Sequence, residues 1–170
     1  LEGWVRLGLQ EDFGESLLTE ALGSFARTHP QVRIEARVAR NAELLDLLGR
    51  GQLDLALAWD SGQGLAYGQC IAELPMCWIG RQGETIHWQE EPLPLVAFEA
   101  PCLMRNAATA ALDRAGIAWR LAFSSASLSG IWAAVAAGLG ITIRTSAGLP
   151  AQLEVLTGMP NLPSIDLLLH

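Results

Sequence analysis

Lysine is absent from this sequence: all 11 basic residues are arginine. Against 18 acidic residues they leave a net charge of −7. A surface of that sign repels phosphate backbones, which argues against nucleic-acid binding by this stretch itself. The same composition, rich in Ala, Leu and Gly, fits GC-rich coding and carries no mechanism. No uncharged apolar run approaches the roughly 18 residues of a membrane span, so the expectation is a soluble, cytoplasmic protein with no membrane partner. Cysteine is sparse. Cys70, Cys77 and Cys102 are odd in number and irregular in spacing, which suggests a reducing compartment and no disulfide framework. Their simplest reading is as small buried hydrophobes. The chain opens on Leu1 with no basic-then-apolar leader, so a piece of a longer polypeptide is expected.

A catalytic constellation is also missing. His29, His87 and His170 stand at no metal-ligand spacing from one another or from a Cys. His29, before Pro30, reads as a helix-end residue facing the dipole. Cys70 and Cys77 are too far apart for a redox pair. The glycines of "GLGIT" close a helix and open a strand, the reverse of a dinucleotide loop. Ser124, Ser125 and Ser127 lack a G-x-S-x-G elbow and a nearby His. No enzyme, metal or cofactor is therefore expected.

What is present is a packed core. Hydrophobic residues make up 51% of the 170 and charged ones 17%, the balance of a globular chain. Val5, Leu7 and Leu9 alternate as a strand. Asp12 and Glu15 then have capping-box spacing, and Leu17, Leu18, Ala21, Leu22 and Phe25 share one helical face. Val32, Ile34, Ala36 and Val38 alternate with charges, as on an edge strand. Asn41 can cap a helix carrying Leu44, Leu45, Leu47 and Leu48, and "LDLALAW" reads as a strand buried on both faces. The order then recurs. A strand-like "IAELPMCWIG" and a polar loop lead to "LPLVAF", then a helix from near Pro101. Next come "AWRLAF", a helix capped within Ser124 to Ser127, and "ITIR". Trp119 and Trp132 fall on apolar faces and read as core. Two β-α-β-α-β units in tandem predict α/β lobes with mostly parallel sheets.

In such sheets ligands sit beyond the carboxyl ends of the strands. The residues there are Gln10, Glu11, Asp12 and Ser16, then Trp59, then Phe98 and Glu99, then Ser124, Ser125 and Ser127. Each alone reads as cap or turn chemistry; as a group they form a candidate effector site. Helix amino termini there favour anions, whereas Glu11, Asp12 and Glu99 favour a cationic or hydrogen-bonding ligand.

The motif order resembles the effector-binding domain of LysR-type transcriptional regulators. Val5 to Gly8 match that family's "vrlG" strand, and Phe25 with His29-Pro30 its "F…hP.v" helix end. Leu44 to Gly51, running into Leu53-Asp54-Leu55-Ala56, match "l...l..GelDlal". "AAVAAGLGITI" (133–143) matches "v.aGlGi...P", and "LPSIDLLLH" a late strand. Arg144-Thr145 stands where the family usually has Leu-Pro. The resemblance implies a fold like type 2 periplasmic binding proteins, with a first lobe of 1–76 plus 161–170 and a second of 77–160. It implies a small metabolite held between the lobes, and an amino-terminal winged helix-turn-helix, outside this stretch, as the only part that meets DNA. Together with the small-residue face of Ala107, Ala108, Ala110 and Ala111, it leads us to expect a two-fold dimer, with a tetramer open to the full-length protein. A secreted solute-binding protein of the same fold is the alternative.

Overall fold

The computed structural model describes residues 3–13, 16–62, 68–86 and 90–170, and of 16 and 17 the backbone alone. Glu15 and His87 lie outside the described residues. The chain divides into two compact units, Leu1–Leu74 with Ile165–His170, and Pro75–Ser164.

In the first unit, β1 (Gly3–Leu9), α1 (Ser16–Thr28), β2 (Val32–Val38), α2 (Asn41–Gly49) and β3 (Leu55–Trp59) follow one another. β4 (Gln69–Pro75) and the returning β10 (Ser164–Leu169) complete a five-stranded sheet of order β2-β1-β3-β10-β4. β1 runs parallel to both β2 and β3, while β10 is antiparallel to β3. β2 is an edge strand and largely exposed, in line with its alternating charges. Leu44 and Leu47 of α2 pack with Leu53 and Ala56 in a small core. Gly8 permits that approach, because a Cβ there would meet Leu53 Cδ1 at 2.6 Å and Leu44 Cδ2 at 2.8 Å. Asp54 ties the start of β3 to β1. Its carboxylate accepts from the Arg6 backbone N–H at 2.8 Å and from the Arg6 guanidinium at 3.1 and 3.3 Å. Hydrogen bonds from Arg6 hold the Asp54 carboxyl below its ordinary range.

The second unit repeats the construction with β6 (Leu93–Phe98), α3 (Leu103–Arg114), β7 (Trp119–Ser125), α4 (Leu128–Ala136) and β8 (Thr142–Arg144). β6 and β7 are parallel, and β8 joins β5 (Cys77–Arg81) and β9 (Leu153–Val155) in a sheet of order β8-β5-β9. A parallel bridge from Leu95 to Ile141 links the two sheets, with Val96 N donating to Ile141 O at 2.8 Å and Ile141 N to Pro94 O at 3.0 Å. The resulting order β7-β6-β8-β5-β9 mirrors the first unit. In each, three parallel strands are followed by an antiparallel strand on which the chain enters the unit after leaving the other. α4 covers β5, β6 and β7 through Leu128, Ile131, Ala134 and Val135, against Ile79, Val96 and Phe98.

Several local expectations are corrected. "IAELPMCWIG" is two strands, because Pro75 ends β4 and Met76 N turns aside to Pro163 O at 3.3 Å. Asp12 lies in a short 3-10 turn (Glu11–Phe13) rather than capping α1, which begins at Ser16. α2 takes Arg40 as its cap position, with Asn41 already helical. Pro101 precedes the Cys102 cap of α3 instead of entering its first turn. β3 is not buried throughout, since Leu55 is exposed. Cys70 is exposed, while Cys77 and Cys102 are half-buried. Trp119 and Trp132 are half-buried too. Ala108 and Ala111 are buried within the second unit, which leaves only Ala107 and Ala110 of that small-residue face for a partner. His29 does sit at its helix end, its N–H donating to Phe25 O at 2.8 Å and its ring stacked on Phe25.

Gly140 offers a direct test of the join between β6 and β8. A Cβ there would stand 2.5 Å from the carbonyl oxygen of Pro94, a backbone atom with no freedom to turn away. Gly140→Ala should lower unfolding stability by about 1–3 kcal/mol in urea titration. Gly8→Ala, which meets only side-chain tips, should cost less.

Candidate functional site

At the first unit's strand ends the backbone leaves the sheet through Gln10 and Trp59, and both are buried, at 6% and 3% exposure. Asn41 brings them together. Its Oδ1 accepts from Trp59 N at 2.7 Å and from Gln10 Nε2 at 2.7 Å, and its Nδ2 donates to Trp59 O at 3.0 Å. An amide side chain has both donor and acceptor, so it can satisfy both polar groups of one peptide unit's flanking residue. The turn after β1 is fixed by Phe13 N donating to Gln10 O at 3.2 Å. It buries Asp12 and Phe13, whose ring centroid lies 5.3 Å from that of Trp59, while Glu11 is half-buried. Ser16 opens α1, and its side chain lies outside the described residues.

The Trp59 indole carries a clear demand. Its Nε1 is sealed from solvent and finds no acceptor among the described residues. A buried N–H left so is costly, and a buried indole usually finds a partner. His170 Nδ1 is also without a partner, but it belongs to the other end of β3, where His170 N donates to Ala56 O at 2.9 Å.

At the second unit's strand ends, Phe98 and Ser125 are register partners, and Glu99 N donates to Ser125 O at 3.1 Å. Phe98 is buried, and Glu99 is exposed. Ser124 is exposed and, as the neighbour of Ser125 on a strand, projects to the opposite face. Ser125 Oγ accepts from Ser127 N at 3.0 Å, so the half-buried Ser125 holds the entry to α4. Ser127 occupies the cap position without making a cap bond; its Oγ lies 2.8 Å from Ser129 Oγ. Stability is thus a duty of Ser125 more than of Ser127.

Arg144, the residue that departs from the family pattern, ends β8 at this same level of the second unit and is 4% exposed, with its Cζ 4.9 Å from the Phe98 ring centroid. Thr145 beside it is fully buried. Asn41, Phe13, Arg144 and Thr145 were not among the candidates read from sequence. Strand-end logic applied to "ITIR" points to Arg144. Asn41 carries no comparable signal, because its helix-start position explains it equally well. Burial pushes the Cys77 thiol up, away from reactivity. Among the described residues no three His, Cys, Asp or Glu side chains group as metal ligands, and no helix is long and apolar enough to cross a membrane.

Two α/β units of matching order, each with polar side chains gathered at the ends of its parallel strands, define a ligand-binding fold like that of type 2 periplasmic binding proteins. Residues 1–154 match the model of the LysR substrate binding domain, and the chain belongs to that family. It is 34% identical over 166 residues to the HTH-type transcriptional regulator DgdR of Burkholderia cepacia, covering 97% of this chain and 55% of that relative. The chain thus spans about half the length of the curated relative it matches. Among solved structures it is similar to the regulatory domain of CcmR from Synechocystis PCC6803 in complex with 2-PG, with a TM-score of 0.78 and 17% identity over 99% of this chain and 86% of that one. The effector binding domain of QuiR in complex with shikimate gives a TM-score of 0.74 at 12% identity, over 99% of this chain and 87% of that one. These relatives are regulators, which supports that reading over a secreted solute-binding protein.

The Asn41 bracket yields a stability prediction. Asn41→Leu keeps the volume but strips partners from both backbone groups of Trp59. Chemical denaturation should show a loss of about 1–3 kcal/mol, and a midpoint within error of the parent protein would contradict the role given to Asn41.

Proposed function

We propose that this chain is the effector-sensing part of a bacterial LysR-type transcriptional regulator, a binding domain and not an enzyme, working in the cytoplasm. A small molecule recognised by the strand-end residues would favour one of two conformations of the whole regulator, and so reset DNA binding by a segment outside this stretch. The candidate contacts are Gln10, Glu11, Asp12, Ser16 and Trp59 of the first unit, with Phe98, Glu99, Ser124, Ser125 and Ser127 of the second. The observation that carries this reading is the buried Trp59 Nε1, which finds no acceptor among the described residues, on a strand end that Asn41 ties to the buried Gln10. Trp59 ends β3, and strand ends are where open α/β sheets take their ligands, which supports the reading.

Thermal-shift screening against a metabolite library tests it. Trp59→Phe removes a donor with no acceptor among the described residues, and because the smaller ring also loses packing in this buried position, each metabolite's shift is read against the variant's own ligand-free midpoint. Affinity for a stabilising metabolite should fall roughly twofold to tenfold, the worth of about 0.5–1.5 kcal/mol. Equal stabilisation of both proteins would overturn the assignment of Trp59.

We also propose a homodimer. No described side chain of α1 is buried, and Leu18, Leu22 and Phe25 stay half-buried on a helix whose apolar positions share one face. Sedimentation should show dimer at high micromolar concentration, reduced to monomer by Leu22→Glu. Monomer alone in the unaltered protein would contradict the proposal.

A further inference from the structure

We infer that the outer edge of β4 is an interaction surface for β4 of a second copy of this chain, the two strands running antiparallel about Ile71. The inference rests on the homodimer proposed above for its stoichiometry: α1 holds two copies together, and β4 joins one such pair to another.

The described residues leave four sheet edges, β2 and β4 in the first unit and β7 and β9 in the second. An open edge is a template for another strand, and proteins blunt theirs with charges, bulges or shortness. Three of the four are blunted so. β2 alternates Arg33, Glu35 and Arg37 along its length. β7 carries Arg120, and its pairing with β6 slips between Leu95 and Val96. β9 is three residues long. β4 lacks these devices over most of its length. It runs seven residues, Gln69–Pro75, with Glu73 as its one charge and proline only at its last position. Gln69, Cys70, Ile71 and Glu73 are exposed, Ile71 at 48%. Among the described residues its backbone bonds to no backbone outside its own sheet. Two thiols alone approach it, Cys70 Sγ to Ala72 O and Cys77 Sγ to Pro75 O, each at 3.6 Å.

The sequence of β4 selects the occupant. Set antiparallel about Ile71, Gln69 faces Glu73 of the second copy, Cys70 faces Ala72, and Ile71 faces its own counterpart. Each carboxylate then meets an amide donor, and the two exposed isoleucines cover each other. Centring on Glu73 would oppose two carboxylates, and centring on Ala72 would set each carboxylate against an isoleucine. A two-fold contact of this kind uses one surface patch twice. It is also small. Seven residues a side fall short of the roughly 20–30 a side of a stable interface, so the edge joins chains already paired rather than pairing them.

Disulfide trapping tests the register. In a Cys70→Ser background, Ile71→Cys and Gln69→Cys are each oxidised mildly at high concentration and read on a non-reducing gel. Directly opposed Cβ atoms in an antiparallel pair stand about 4.5–5.5 Å apart. Two positions that each lie two residues from the centre are about 13 Å apart along the strands. Ile71→Cys should therefore give a linked dimer about tenfold faster than Gln69→Cys, as a held pair outruns random collision. Sedimentation carried to millimolar concentration should show dimers of the unaltered protein joining into tetramers. Ile71→Lys should keep the dimer and lose the tetramer. Equal linking at the two positions, no linking at either, or a tetramer untouched by Ile71→Lys would overturn the inference. If the unaltered protein is monomeric at high micromolar concentration while Ile71→Cys still links preferentially, the α1 homodimer falls and the pairing of β4 stands.

Discussion

The three hydrogen bonds of the Asn41 side chain are the constraint on which the first unit's strand ends depend. One carboxamide takes the N–H of Trp59, gives to its carbonyl, and accepts the amide of Gln10, all between 2.7 and 3.0 Å. It does so from the first helical position of α2, where a side chain lies near backbone donors without intrahelical partners. The effect is to extend the sheet by one step: β1 and β3, paired earlier through Leu7–Leu55 and Gly8–Ala56, are held together where their ladder has ended. The turn carrying Asp12 and Phe13, and the indole of Trp59 against Phe13, take their positions from that clamp. Buried polar groups bound on every side rigidify what surrounds them. The strand ends built on them are held in one arrangement.

The two units share a plan and differ in chemistry. Each sets three parallel strands beside one antiparallel strand on which the chain enters that unit after leaving the other, β10 in the first and β5 in the second. The strand ends of the first carry amides, an acidic turn and an indole N–H. Those of the second carry hydroxyls, an aromatic ring and a buried cation.

Much of this was legible in the sequence, for reasons of period and order. The alternation in Val32–Val38 marks an edge strand because one face meets water, and the spacing of Leu44 and Leu47 marks the buried face of α2. The β-α-β-α-β repeat, read from those periods, places the candidate residues at strand ends. Caps were read less well, because cap preferences are local and the side chains answered to distant partners. Asn41 bonds to Trp59 rather than to its own helix, and Ser125, not Ser127, holds the entry to α4. Leu55 and Leu121 show the same limit: an apolar residue in a strand pattern says which face it is on, not whether anything covers that face. Arg144 stood out in the sequence only as a departure from a family pattern. Its burial against Phe98 comes from the pairing of β8 with β5, which no local period encodes.

The central claim is that the strand ends of this chain are where a small molecule is sensed. Hydrogen–deuterium exchange with and without a metabolite that raises the melting midpoint tests it most directly. Slowed exchange should concentrate in residues 10–13, 41–44 and 59–60 of the first unit, and in 98–99, 125–131 and 144–145 of the second. Protection confined to β4, β9 or the carboxyl end of α3, with these segments unchanged, would contradict the account.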